Sequence, residues 1–133
     1  MPRVACWFVR AALVHLLIGF TLGALLLLNK ALGWSPRWYL LLPAHMESLL
    51  VGWTLLLALG VATWILPRFQ TVRPRIGLAC LAFGLINFGL VVVSVAPFVE
   101  AGATWVAVGR TAEMAAALVY CLHAWPRVKA AGV

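Results

Sequence analysis

Four long apolar stretches alternate along the chain with short segments that contain proline, glycine and arginine. A helix that crosses a bilayer needs about 20 consecutive apolar residues. The pattern therefore predicts four transmembrane helices, over residues 7–28, 43–66, 76–96 and 103–125. Because the connections are short, we predict an all-α fold in which residues 1–133 form a single domain, an up-down-up-down four-helix bundle.

The first apolar stretch follows a positively charged start, as the apolar core of a signal peptide does. That core is only about 7–15 residues long and ends at a small-residue cleavage site. Residues 11–28 are apolar apart from His15, and the run ends at Asn29-Lys30. We therefore interpret the stretch as a retained helix.

Composition agrees with this interpretation. Hydrophobic residues make up 65% of the chain and charged residues 10%, and the mean hydropathy is +1.07. Soluble domains are closer to half apolar. The chain is predicted to be a multi-pass protein of the lipid bilayer.

The net charge of +7 arises from ten Lys and Arg residues and three acidic ones. Such an excess also occurs in nucleic-acid-binding proteins, but here the basic residues flank the apolar stretches, so no nucleic acid partner is expected. One predicted side holds Arg3, Arg10, Arg68, Arg73, Arg75, Arg127 and Lys129; the other holds Lys30, Arg37 and Arg110. Because cytoplasmic loops are enriched in Lys and Arg, both termini are predicted to be cytoplasmic.

Each predicted helix carries a row of small or polar residues at helical spacing. The rows are Ala12, His15, Gly19 and Gly23; His45, Ser48 and Gly52; Cys80, Gly84, Asn87, Val91 and Ser94; and Gly109, Glu113, Ala116 and Tyr120. Small residues let helices approach closely in lipid, so we interpret the rows as packing faces. The three cysteines are scattered, one in each of three helices, and do not form a disulfide framework or a zinc motif.

Three polar side chains, His15, Asn87 and Glu113, are predicted to form a polar core, because lipid offers them no hydrogen-bonding partner. At 1.5 Å per residue, His15 and Glu113 lie at similar depths and can pair. Alternatively, Arg110 neutralises Glu113 from three residues earlier. A buried pair of this kind is either structural or a proton-handling site. One hypothesis is therefore a small proton-coupled transporter or channel.

The second apolar stretch opens with two ionisable residues, His45 and Glu47. They lie about 200° apart around a helix, so they are not expected to form one paired site. Glu47 falls on a second face of small and polar residues with Thr54 and Ala58, and one of the two faces is expected to contact another subunit. His123, near the end of the last helix, is interpreted as an interfacial residue.

The same stretch resembles a known family. Arg37, His45, Gly52-Trp53 and Leu66-Pro67-Arg68 are similar to helix II of the haem-copper oxidase catalytic subunit (subunit I), particularly of C-family oxidases and nitric oxide reductases. The stretch GFTLGALLL, at 19–27, is similar to that family's helix I. The chain looks still more like the short four-helix membrane proteins related to that subunit.

The resemblance implies that His45 is an axial ligand of a low-spin haem b in a bacterial inner membrane. Ser48 and Gly52 would leave room for the porphyrin, and Arg37 or Arg110 would pair with the propionates. The second axial ligand would be His15, His123, Met46 or Met114, or would come from another chain.

The family's copper and high-spin haem ligands come from later helices, so this chain is not expected to be a complete enzyme on its own. We expect a haem-binding protein that functions in electron transfer or in gas or redox sensing. The alternative is a haem-free accessory or structural subunit of a larger respiratory complex, in which the helix II pattern serves packing.

Overall fold

The computed structural model describes residues 1–67, 75–100 and 102–128. Four helices in these ranges are long and apolar enough to cross a membrane. They are α1 (Arg3–Leu32), α2 (Pro36–Ile65), α3 (Ile76–Phe98) and α4 (Gly102–Arg127). No strand occurs in the described ranges, so the prediction of an all-α fold with four membrane-length helices is confirmed.

The start of α2 is irregular for local reasons. Gly33 ends α1 in the left-handed conformation, with φ 64°, which glycine adopts without steric penalty. The Ser35 amide then donates to the Asn29 side chain at 2.9 Å. Pro36–Leu41 follows as a 3₁₀ helix.

The body of α2 is not a uniform α-helix. It consists of an α-helical turn, Leu42–Glu47, a π-helical segment, Ser48–Leu55, and a second α-helical segment, Leu56–Ile65. The Thr54 hydroxyl donates to the carbonyl of Leu49, five residues earlier, at 2.9 Å. π-helical segments are rare and frequently lie at functional sites.

The apolar core lies in one half of the bundle. Its buried residues are Val4, Phe8, Ala12, Leu56, Ala79, Ala82, Ile86, Ala116 and Tyr120. Phe8 is fully buried and meets Phe83 and Tyr120 edge-on, with ring centroids 5.1 and 6.2 Å apart. All four helices contribute to this core.

The predicted packing face of α3 is partly wrong. Cys80, Gly84 and Val91 are exposed. The residues of α3 that are buried instead are Ala79, Ala82, Ile86, Gly89, Leu90, Val93 and Ala96. In lipid both faces of a helix are apolar, so hydropathy does not reveal which one packs, and a small residue such as Gly84 does not have to serve a helix contact.

The two ends of the bundle are defined by different contacts. At the end that we call the Glu47 end, Pro36–Leu41 contacts Ala96–Phe98. At the opposite end, the Arg127 end, α4 bonds to the backbone of Pro67 and Arg75. Residues 68–74, 101 and 129–133 lie outside the described ranges.

Candidate cofactor groove and intramembrane ion pair

His45 faces α1 across the α1–α2 interface. Its Nδ1 lies 2.8 Å from the carbonyl oxygen of Gly19. Because a carbonyl only accepts, Nδ1 carries a proton, and in the neutral imidazole the lone pair is then on Nε2. Gly23 makes room for the ring, since a Cβ at that position would lie 2.7 Å from Cε1 of His45. The imidazole is therefore fixed in one tautomer and one orientation.

His45 lies on the wall of a groove between α1 and α2, with a volume of about 510 Å³. The groove is lined mainly by apolar side chains, including Phe20 and Leu27. Lys30 and Tyr39 supply its other polar groups. We call this the His45 groove. It can accept a large apolar molecule and offers that molecule one imidazole and one cationic side chain.

Other residues that the resemblance assigns to a cofactor lie outside the groove. Ser48 is buried, and its Cβ lies close to the position a Gly19 side chain would take. The space beside Gly52 is filled by His15, whose Cγ would lie 2.6 Å from a Cβ at Gly52. The small residues Ser48 and Gly52 thus serve the packing of α1 on α2 rather than the groove.

The two arginines expected near a haem are also placed elsewhere. Arg37 is exposed and lies beside Phe98 of α3. Arg110 is bound by the two membrane glutamates: its Nη2 lies 2.5 Å from Glu47 Oε1 and its Nη1 lies 2.8 Å from Glu113 Oε2. Neither arginine lines the His45 groove.

Glu47, Arg110 and Glu113 form an ion-pair cluster between α2 and α4. The Glu47 and Glu113 side chains are 7% and 13% exposed, whereas that of Arg110 is 51% exposed. The structure therefore has the second of the two pairings considered for Glu113, with Arg110 rather than with His15. Glu47 itself points toward α4, where it binds Arg110, while Thr54 and Ala58 of the same predicted face are exposed. That one face of α2 contacts another subunit stays a prediction.

His15 belongs to a separate polar contact between α1 and α3. Its side chain interacts with the amide of Asn87, and Asn87 in turn donates to the Phe83 carbonyl at 2.8 Å. Nδ1 of His15 is buried, with no hydrogen-bond partner in the described part of the chain. The predicted polar core is thus two clusters rather than one.

A third polar cluster, at the Arg127 end, is not among the predictions from the sequence. Arg127 and His123 are both 0% exposed. Arg127 donates to the carbonyls of Thr63, Leu66 and Pro67, at 3.2, 2.6 and 3.1 Å. The interpretation of His123 as an interfacial residue is therefore wrong.

The His123 ring joins Arg127 to α3. Its Nδ1 donates to the Arg75 carbonyl at 3.1 Å, and its Nε2 accepts from Arg127 Nη1 at 2.9 Å. The one signal in the sequence is the spacing of four residues between His123 and Arg127, which places both on one side of α4. A hydropathy pattern does not reveal the backbone carbonyls that Arg127 and His123 bind.

Comparisons of the chain with models of protein families, with curated proteins and with solved structures find no match. The site has to be interpreted from its own geometry.

Proposed function

We propose that the protein is a membrane haem protein in which His45 would bind the iron. The supporting observation is that His45 Nδ1 donates to the Gly19 carbonyl on the wall of the groove. Histidines that bind metals almost always donate their other ring N–H to a carbonyl, a carboxylate or water, which fixes the tautomer and leaves Nε2 as the ligand.

The remaining groove residues fit a porphyrin. Apolar side chains such as Phe20 and Leu49 offer contact to the flat ring. Lys30 and Tyr39 can hold the propionates through hydrogen bonds, and the bond from the Lys30 ammonium is charge-assisted. Lys30 and Tyr39 thus take the role that the resemblance gives to Arg37 and Arg110.

The number of imidazoles favours one kind of haem chemistry. Among the residues that line the groove, His45 is the one histidine, and no methionine or cysteine joins it. Haem held by one proximal histidine leaves a position that small gas molecules can take, as in globins. We therefore favour gas or redox sensing over electron transfer, which would use a second ligand from another copy or from a respiratory partner.

We propose an up-down-up-down arrangement in a bacterial inner membrane, with both termini in the cytoplasm. Without the buried Arg127, six basic residues remain on the side of the termini and three on the other. This is the bias of cytoplasmic segments. A green fluorescent protein fused after Val133 should fluoresce, and a dark fusion that is fully exported would contradict the orientation.

The haem proposal is tested by a visible absorption spectrum of protein produced with a haem supply. We expect a Soret band in the wild type and its loss in His45→Ala. His15→Ala and Met46→Leu are matched controls, because His15 packs against Gly52 and Met46 is exposed on the same helix as His45. Both controls should keep the band.

Three outcomes would contradict the proposal. One is a colourless wild-type protein, which leaves the haem-free accessory subunit as the better hypothesis. Another is a Soret band that survives in His45→Ala, and the third is a band lost in His15→Ala instead. A low-spin, six-coordinate spectrum would retain His45 as ligand but would favour electron transfer over gas binding.

A further inference from the structure

We infer that Glu47 and Glu113 bind one proton between them at neutral pH, beside Arg110 and within the membrane. This site lies on the side of α2 opposite the His45 groove and does not depend on a haem being bound. It gives the protein a second, proton-binding function that the groove does not explain.

The geometry brings the two carboxyl groups together. Glu47 and Glu113 come from different helices, and their carboxyl groups meet at the same guanidinium, that of Arg110. Arg110 bonds to one oxygen of each. The other two oxygens, Oε2 of Glu47 and Oε1 of Glu113, are fully buried and have no hydrogen-bond partner in the described part of the chain.

The charges of the cluster do not balance when both glutamates are ionised. One guanidinium then faces two carboxylates, which leaves a net charge of −1 in an apolar surrounding. Like charges that share a site cannot both ionise easily, and a buried charge without a partner is strongly disfavoured. A single proton makes the cluster neutral and supplies the donor that the buried oxygens lack.

In the part of the chain that the structure describes, no further charged side chain forms an ion pair with the cluster. On α1, His15 is turned toward Gly52 and Asn87. On α2, His45 faces Gly19 on the opposite side. On α3, Gly89 lies against Glu113, and a Cβ there would be 2.7 Å from Glu113 Cγ.

Within the described ranges, both glutamates form their ion pairs with Arg110. The proton is taken up from water and forms an O–H bond on one carboxyl, which becomes the acid while the other remains the carboxylate. The product is one guanidinium, one carboxylate and one carboxylic acid.

The chain makes this site unusually accessible to infrared spectroscopy, because it has only three acidic side chains. Glu100→Gln removes the third, which is exposed, and leaves the buried pair intact. Glutamate labelled with ¹³C in its side-chain carboxyl separates these groups from the C-terminus and from haem propionates. At pH 7 we expect one protonated glutamate per chain, with a C=O stretch that shifts in D₂O.

Two further variants test whether the proton is shared. In Glu47→Gln and in Glu113→Gln the remaining carboxylate pairs alone with Arg110, so the protonated signal should vanish in each. Because Glu100→Gln leaves the cluster unchanged, absence of the protonated-glutamate signal from that variant would overturn the inference. Retention of the signal in either single variant would place the proton on one fixed carboxyl and would also overturn it.

Discussion

Arg127 shows how one side chain can join three helices of a membrane protein. It lies in α4, bonds to the last carbonyls of α2, and reaches α3 through His123 and the Arg75 carbonyl. The carbonyl end of a helix carries a partial negative charge and unpaired acceptors, and a guanidinium satisfies both. The guanidinium of arginine is planar and has several fixed donors, so it can bind several carbonyls at once. The ammonium of lysine is a point charge and is less suited to this.

Replacing Arg127 with methionine should therefore destabilise the fold. The carbonyls of Thr63, Leu66 and Pro67 would lose a donor that is itself fully buried, and we expect the free energy of unfolding to fall by about 2–4 kcal/mol. Arg127→Lys should recover only part of this loss. Unfolding in mixed micelles, followed by tryptophan fluorescence, measures the difference.

The control for Arg127 is Arg37→Met, which removes an exposed arginine of the other end and should change the unfolding free energy by less than about 0.5 kcal/mol. Equal stability of Arg127→Met and wild type would refute the role given to Arg127.

The sequence could predict some of these single residues and not others. His45 and Glu47 stand out because ionisable groups are rare in an apolar stretch, and their opposite directions follow from helix geometry. Arg127 looks like one more basic residue at a membrane boundary. Its burial depends on backbone carbonyls some sixty residues away in the chain, at Thr63 and Pro67, and no side-chain pattern shows such a partner.

At the scale of the element, the π-helical segment explains the spacing of buried residues along α2. Ala44, Ser48, Gly52, Leu56 and Gly60 are all buried at steps of four. In a regular α-helix, four such steps drift by about 160° around the axis. The turns of the π segment hold more residues than α-helical turns and so reduce this drift. The five buried residues therefore stay on the face of α2 that packs inside the bundle. The repeated step of four is the signal of this segment in the sequence.

A π segment corresponds to one residue more than an α-helix holds between the same two ends. Deleting Leu50, which is 62% exposed, should therefore let the segment close as an α-helix while both flanks keep their partners. We expect the melting temperature to fall by no more than about 5 °C. Circular dichroism during heating in detergent provides the measurement.

Deletion of Leu17 is the matched comparison, since this residue of α1 is 71% exposed but lies in regular α-helix. Its loss would rotate one half of α1 by about 100° relative to the other and should abolish the folded state. Equal damage by both deletions would refute the explanation of the π segment.

At the scale of the whole molecule, the bundle consists of two closely packed helix pairs. α1 packs along α2, with Gly19, Gly23 and Gly52 at the contact. α3 packs along α4, with Gly89 and Gly109 at the contact. The two pairs meet through the apolar core, through the contact of His15 with Asn87, and through a polar cluster at each end. The helices and their number could be predicted from hydropathy, whereas the face that α3 uses could not, because Gly84 looks like Gly89 in sequence.

The contact between α3 and α4 gives the sharpest test of this arrangement. A Cβ on Gly109 would lie 2.5 Å from Val93 Cγ2 and 2.9 Å from the Gly89 carbonyl oxygen. Gly109→Ala should therefore force the two helices apart and lower the unfolding free energy by about 1–3 kcal/mol. It should also loosen the cluster of Glu47, Arg110 and Glu113 and lower the shared-proton infrared signal.

Gly84→Ala is the matched control in the same pair of helices, because no described atom lies within 4 Å of that Cβ and alanine favours the helix by up to about 1 kcal/mol. We expect Gly84→Ala to be neutral or stabilising in the same micelle unfolding experiment. If the two alanine variants lose stability equally, close packing at Gly109 does not hold α3 and α4 together.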